Sequence, residues 1–194
     1  LLFTFVIHSE TIDRIAAIVN DDIITQSEVS AMEKLQLNVS GLPKAESTLA
    51  DRINHHLLVQ QIQRQPPPTV TPEMIRDTIE SITREHGGNE ELLVFLNSIG
   101  MNYEDFDNEL REQLSIREFI NLRFRPFVNV KIEEAEDYYN NVYKLEFEAE
   151  GKSPPSFAES FETIQSVLAA SRVLERTKEW LDQLKKEASI YIKE

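Results

Sequence analysis

Apolar and polar residues alternate loosely from Ile12 to Val19, where Ile12, Ile15, Ala17 and Val19 are set among Asp13 and Arg14, as in a strand. Asn20-Asp21-Asp22 is a turn signal, followed by the short apolar pair Ile23-Ile24. The period then changes. Thr25-Gln26-Ser27-Glu28 fits a capping box, so a helix is predicted from about Ser27 towards Leu37, broken by Gly41-Leu42-Pro43. Leu49, Ile53, Leu57, Leu58 and Ile62 recur at spacings of three and four in a second helix from Glu46, which Pro66-Pro67-Pro68 ends. Thr71-Pro72 supplies the N-cap and first residue of a third, striped by Met74, Ile75, Thr78, Ile79 and Ile82 and stopped at Gly87-Gly88. Asn89 is the expected cap of a shorter helix carrying Leu92, Leu93, Phe95 and Leu96. Asn102 caps a longer one, with Phe106, Leu110, Leu114, Phe119 and Ile120 towards a core, as far as Pro126.

Val128 to Ile132 reads as an extended linker, and Glu133 to about Phe147 as helix with Tyr138, Tyr139 and Tyr143 as its bulky residues. Gly151-Lys152-Ser153-Pro154-Pro155 is a loop. The longest periodic stretch is Phe157 to Glu187, striped by Phe157, Phe161, Ile164, Leu168, Leu174, Leu181 and Leu184 and interrupted at Ser171. Ser189-Ile190-Tyr191-Ile192 closes the chain as a strand. The pattern predicts a mainly α protein of about seven helices with a strand at each end. Because a lone strand is unstable, Ile190–Ile192 is expected to pair with Ile12–Val19 and close both ends into one module.

Composition narrows the function. The 194 residues carry 34 Asp+Glu against 20 Lys+Arg, a net charge of −14, which is the wrong sign for neutralising phosphates, so nucleic acid is not expected as a partner. Anionic lipid surfaces are disfavoured for the same reason. Apolar residues make up 41%, enough for a packed core, and the lack of cysteine excludes disulfides and thiolate chemistry. The run Leu1–Ile7 is far shorter than the roughly 20 residues of a membrane span. With Ile7 and Ser9 before a plausible cleavage point, it reads as the tail of a signal peptide and predicts export; an ordinary buried strand is the competing reading.

No catalytic constellation outweighs its structural explanation. His55-His56 are adjacent on a helix and point in different directions, so they are expected to be structural rather than joint metal ligands. Asp21-Asp22 lacks the register of a calcium loop. Glu133, Glu134, Glu136 and Asp137 suit a helix start, where the macrodipole favours carboxylates. Neither GxGxxG nor GxxxxGK occurs. No metal and no cofactor is called for.

The ordered pieces resemble a known family. Ile12-Asp13-Arg14-Ile15-Ala16-Ala17-Ile18-Val19-Asn20-Asp21-Asp22-Ile23-Ile24-Thr25-Gln26-Ser27-Glu28 resembles the "VDRIVAVVNDDVIT-x-SE" opening of SurA-like periplasmic chaperones. Leu57-Leu58-Val59-Gln60-Gln61, Val70-Thr71-Pro72-Glu73, Gly100 to Phe106, and Val130 to Tyr139 resemble later family segments in the same order. Phe157 to Glu194, with Trp180-Leu181 and Ile190-Tyr191-Ile192, is similar to the family's C-terminal helix and closing strand.

In these chaperones one or two parvulin-type prolyl isomerase domains follow the Tyr-Tyr helix. Here only Tyr143 to Ser156 separates that helix from the last one, with a single glycine and no histidine. Pro66-Pro67-Pro68 also replaces a Gly-containing helix end.

Residues 1–10 are read as a signal-peptide remnant from their own pattern, and the resemblance implies 11–150 as a SurA-like N-terminal helical domain and 151–194 as the helix and strand completing the same core. It implies an ATP-independent periplasmic holdase for unfolded outer-membrane proteins or other extended polypeptides, with no isomerase activity and no integral membrane segment. The alternative is a helical adaptor or structural subunit of an envelope complex. Expected liners of an apolar client groove are Met32, Met101, Phe124, Phe127 and Tyr143, large residues not needed by a helix stripe. Leu1–Ile7 is expected to mimic a client in that groove. Exchange of terminal elements between copies, giving a swapped homodimer, is also expected to be accessible.

Overall fold

A computed structural model describes residues 13–193. Leu1–Ile7, and with it the expected client mimic, lies outside the described residues. Three strands, β1 (Ile15–Val19), β2 (Asp22–Thr25) and β3 (Ile190–Ile192), form an antiparallel sheet in the order β2-β1-β3. The predicted union of the two ends is therefore present: Ala17 faces Ile192, Ile18 faces Tyr191 and Val19 faces Ile190. The pair Ile23-Ile24 belongs to a third strand that the pattern did not resolve, folded back on β1 through a turn at Asn20. Asn20 takes φ 54°, a left-handed conformation that asparagine tolerates better than most residues. It also ties three elements together. Its N–H donates to the Ser189 carbonyl (2.7 Å), its Oδ1 accepts from the Ser189 N–H (3.0 Å), and its Nδ2 donates to Gln60 Oε1 (2.6 Å).

The helices are α1 (Gln26–Leu35), α2 (Thr48–Gln63), α3 (Pro72–Glu85), α4 (Asn89–Ser98), α5 (Tyr103–Phe124), α6 (Ile132–Tyr138), α7 (Lys144–Ala149) and α8 (Phe157–Glu187). A π turn, Tyr139–Tyr143, joins α6 to α7, so those two are halves of one rod and the described residues hold seven helical rods. Side-chain caps fall where the sequence placed them at Thr25, Thr71 and Asn102, and Ser156 caps the last helix as well. Two expectations need correction. Asn89 is the first residue of α4 rather than its cap; Gly88 holds the cap position with no side-chain bond. At α1 only half of the capping box forms: Thr25 Oγ1 accepts from the Glu28 N–H (3.3 Å), while the Glu28 carboxylate is drawn to Arg52 and His56.

Three apolar cores are strung along two long helices. The first joins the sheet (Ala17, Val19, Ile24) to Leu57 and Leu58 of α2, Ile116 and Ile120 of α5, and Leu181 and Leu184 of α8. The second packs Ile75, Ile82, Leu92 and Leu96 of α3 and α4 against Phe106, Leu110 and Leu114 of α5. The third sets Ala135 of α6 against Ile164 and Ala169 of α8, with Tyr138, Tyr139, Tyr143, Phe157 and Phe161 around it. The buried face of α8 carries Ala169, Val173 and Thr177 in mid-helix, and Leu174 is left 36% exposed. Helical phase over 31 residues drifts from a strict 3.5 repeat, which displaces the expected stripe there by one position.

Candidate functional site

The first and second cores meet along α2 and α5, and their seam is polar. Phe106, Leu110 and Leu114 of α5 face the second core, while Glu109 and Gln113 of the same helix turn towards α2. There they meet Arg52, whose guanidinium is buried. Arg52 Nη1 donates to Glu109 Oε1 and Oε2 (2.9 and 3.0 Å), and Nε and Nη2 reach Glu28 Oε1 (both 2.8 Å). Gln113 Nε2 donates to Glu109 Oε1 (2.8 Å), and its Oε1 accepts from the Val39 N–H (2.8 Å). The segment 36–47 between α1 and α2 is thus hung on the seam through Gln113.

The adjacent histidines diverge as expected. His55 Nε2 lies 2.8 Å from Glu112 Oε2 on α5, and His56 Nε2 lies 3.3 Å from Glu28 with Nδ1 3.5 Å from Asp22. Burial by itself would raise the Glu28 carboxyl, but the His56 hydrogen bond and the Arg52 charge outweigh it and hold it at about 2. Burial would lower His56; its hydrogen bond to Glu28 and that carboxylate's charge win, and it is raised. Glu112 is lowered, chiefly by the His55 hydrogen bond.

His55, Glu109 and Glu112 bring ligand-type atoms within 4.8 Å of one another. The geometry is that of ion pairs rather than a chelate. Glu109 is already occupied by Arg52 and Gln113, and the histidine approaches its two glutamates through different ring nitrogens, 2.8 Å at Nε2 and 3.8 Å at Nδ1.

Above this floor lies a hollow of about 320 Å³, covered by 36–47 and walled by Met32, Leu37, Leu42 and Pro43 on one side and Asp51, Asn54 and His55 on the other. Asn54 is only 8% exposed and its side-chain amide hydrogen-bonds to no described residue, its Oδ1 being sealed and unpartnered. A second, more open hollow of about 420 Å³ lies between α3 and α5, lined by Val70, Pro72, Ile75, Ile79 and Arg111 among others.

Of the expected groove liners, Met32 borders the first hollow. Met101 is buried in the second core, Phe124 packs edge-on against Trp180 beside the first, and Tyr143 stacks with Tyr139 in the third. Phe127 is 70% exposed. The five do not share one groove. Sequence reasoning passed over Arg52, Glu109 and Gln113 because charged residues at helical spacing usually mark a solvated face. The available signal was the match between Arg52-x-x-His55 and Glu109-x-x-Glu112-Gln113, two polar ladders of equal pitch.

A multi-helix scaffold closed by the β1–β3 pairing, with one hollow between the first and second cores and another beside α3, defines the class as a mainly α module with a small antiparallel sheet. The chain belongs to the SurA N-terminal domain family, whose model matches residues 12–119, more than half of it. It is similar to Chaperone SurA of Vibrio parahaemolyticus, 28% identical over 129 residues that cover 61% of this chain and 30% of the relative. Chaperone SurA of Vibrio vulnificus is likewise 28% identical over 129 residues, with the same coverage. The matched part spans about 30% of the length of these curated relatives. No helix among the described residues is long and apolar enough to cross a membrane.

Proposed function

We propose that this chain is an ATP-independent periplasmic chaperone that holds unfolded outer-membrane proteins or other extended polypeptides. Membership of the SurA N-terminal domain family carries the reading, and the relatives named Chaperone SurA support it. A holdase without nucleotide must bury client apolar surface reversibly, at about 25 cal/mol per Å². An open hollow between the first and second cores, and a second beside α3, suit that task better than a sealed bundle would. The −14 charge keeps such a molecule soluble and self-repelling while its binding surface is open.

Prolyl isomerisation is not part of the proposed activity of residues 13–193. The interval in which the family carries its parvulin domains is here α7 and a short loop leading to α8.

The test is suppression of aggregation of a urea-unfolded outer-membrane β-barrel protein on dilution. Protection near a one-to-one ratio without nucleotide supports the proposal; none at tenfold excess refutes it. A proline-peptide assay without rate enhancement separates holding from isomerisation. Exchange of β3 between copies would reuse the β1–β3 register, and a strictly monomeric mass by light scattering rejects that dimer.

A further inference from the structure

We infer that the outer edge of β3 seats a client segment, which joins the sheet there as a fourth strand of extended polypeptide. The occupant's identity rests on the chaperone reading; the docking place comes from the backbone. Lys193 N–H donates to Ala16 O (3.0 Å) and Asn20 N–H to Ser189 O (2.7 Å), so Ser189 and Lys193 turn their backbone groups towards β1. Facing alternates along an antiparallel ladder. Tyr191, opposite Ile18, therefore faces β1 as well, and Ile190 and Ile192 point their N–H and C=O groups outward. No described residue bonds to these outward groups.

Donors and acceptors alternating along an edge are complementary to another extended backbone, which is what makes such an edge a template for a further strand. The opposite edge of the sheet offers less. β2 runs straight into α1, and its Thr25 is the N-cap, whose carbonyl takes the first bond of the helix. The side chains indicate the occupant's composition. Ile23, Ile18 and Tyr191 lie side by side across the three strands, on the face opposite Ala17, Val19 and Ile24 of the first core. Ile23 is 53% and Tyr191 62% exposed. A fourth strand extends this row beside Tyr191, where an aromatic or β-branched residue gains most. Unfolded β-barrel proteins, whose strands alternate apolar and polar residues, supply such segments.

A second copy of the chain fits this edge less well. Each copy carries a net charge of −14, and exposed Lys193 at the end of the strand is the residue type that guards edges against self-pairing. An edge of 3 residues buries by itself far less than the roughly 1,200 Å² of a stable interface. The same shortness keeps a client's hold weak and reversible, and recognition through the backbone is indifferent to sequence, as a holdase requires.

The test follows backbone hydrogen exchange of the full chain by NMR as acetyl-Thr-Val-Tyr-Val-Thr-amide is added. Exchange at the Ile190 and Ile192 N–H groups should be fast in the chain alone and slow about tenfold or more at saturation, with Lys193 N–H protected throughout. Ile192→Pro deletes an outward donor without touching a β1 bond, a place where a strand tolerates proline. It should weaken peptide binding about fivefold, the worth of one lost backbone bond, while Ile192→Val keeps the donor and should bind as wild type. If Ile192→Pro loses the Lys193 protection, β3 has detached and the wild-type exchange data decide alone. Unchanged exchange at Ile190 and Ile192 in saturating peptide, or undiminished affinity in Ile192→Pro with Lys193 still protected, overturns the inference. So does protection of these two groups without peptide. If it grows with protein concentration, the edge belongs to a second copy; if it is independent of concentration and accompanied by cross-peaks to Leu1–Ile7, the edge belongs to the chain's own N-terminal run. Wild-type protection of an unfolded barrel protein alongside any of these results removes the β3 seat and leaves the chaperone reading standing. Slowed exchange with the peptide but no protection of that protein removes the chaperone reading, and the client as occupant with it.

Discussion

Replacing Arg52 by methionine tests how the two cores are joined. The side chain is buried and bonded to Glu28 and Glu109, and Glu109 is itself only 8% exposed. Removing the guanidinium leaves Glu109 with the Gln113 Nε2 at 2.8 Å and the His55 Nδ1 at 3.8 Å. Breaking one side of a buried ion pair costs about 3–5 kcal/mol. The surviving Gln113 and His55 contacts place Arg52→Met near the lower end, about 3 kcal/mol. The magnitude is pH-dependent. Arg52 helps hold Glu28 at about 2, so without the guanidinium Glu28 takes up its proton at a higher pH and the loss shrinks at acid pH. Adding Glu109→Leu removes the uncompensated charge, so the double variant should recover most of the loss and reach or exceed wild-type stability, as hydrophobic replacements of buried ion pairs often do. Equilibrium urea unfolding of the four proteins at pH 5 and pH 7, read as a double-mutant cycle, gives the coupling. A loss below about 1 kcal/mol for the single variant at pH 7, the value of an exposed pair, or simple additivity in the cycle, would refute the account of a dry, mutually dependent seam.

Three further outcomes follow from named contacts. Glu28, held at about 2 against an ordinary 4.5, contributes stability that is complete above its ordinary value and lost as pH falls from 4.5 towards 2. His56, raised above 6.5, contributes stability that is complete below 6.5 and lost as pH rises through its folded value. The urea midpoint should therefore plateau between about pH 5 and 6.5, and Glu28→Gln should flatten the acid limb and weaken the alkaline one. Phe106→Ala empties a fully buried position in the second core and should cost about 3–5 kcal/mol by urea unfolding. Tyr191→Pro, opposite Ile18 in the three-residue β3, removes a ladder donor and should unzip the terminal strand, seen as lost hydrogen-exchange protection at Lys193, whose N–H donates to Ala16 O at 3.0 Å.

What could be read from the sequence divides along physical lines. Caps, breakers and helical stripes are local, so α2, α3, α5 and α8 were legible almost to their ends, and the instability of an unpaired strand was enough to bring Ile190–Ile192 onto β1. The hairpin partner β2 was hidden because Ile23-Ile24 is too short to declare a period. The half-formed box at Thr25 failed for a non-local reason: a guanidinium on α2 competes for Glu28 more strongly than the α1 N-terminus does. The site was the least legible part. A large apolar residue outside a stripe is a poor guide to a groove, since Met101 sits in the core while Phe127 stands in solvent. The hollow is instead built from polar residues whose significance appears only once α2 and α5 lie side by side.

The polar seam also accounts for the hollow's survival. A buried ion network is a poor way to gain stability, because desolvation consumes much of the attraction. Leucine and methionine at Arg52, Glu109 and Gln113 would pack α2 onto α5 more favourably, and flexible apolar side chains would then fill the space under 36–47. Arg52 cannot do so: its fork is fixed between Glu28 and Glu109, and Gln113 is committed to Glu109 below and Val39 above. The network therefore holds a floor that is satisfied and rigid. On this argument the Arg52→Met, Glu109→Leu double variant gains stability by closing the hollow, and should lose client affinity in step. Recovered stability with undiminished binding would separate the seam from the site and leave the network without that role.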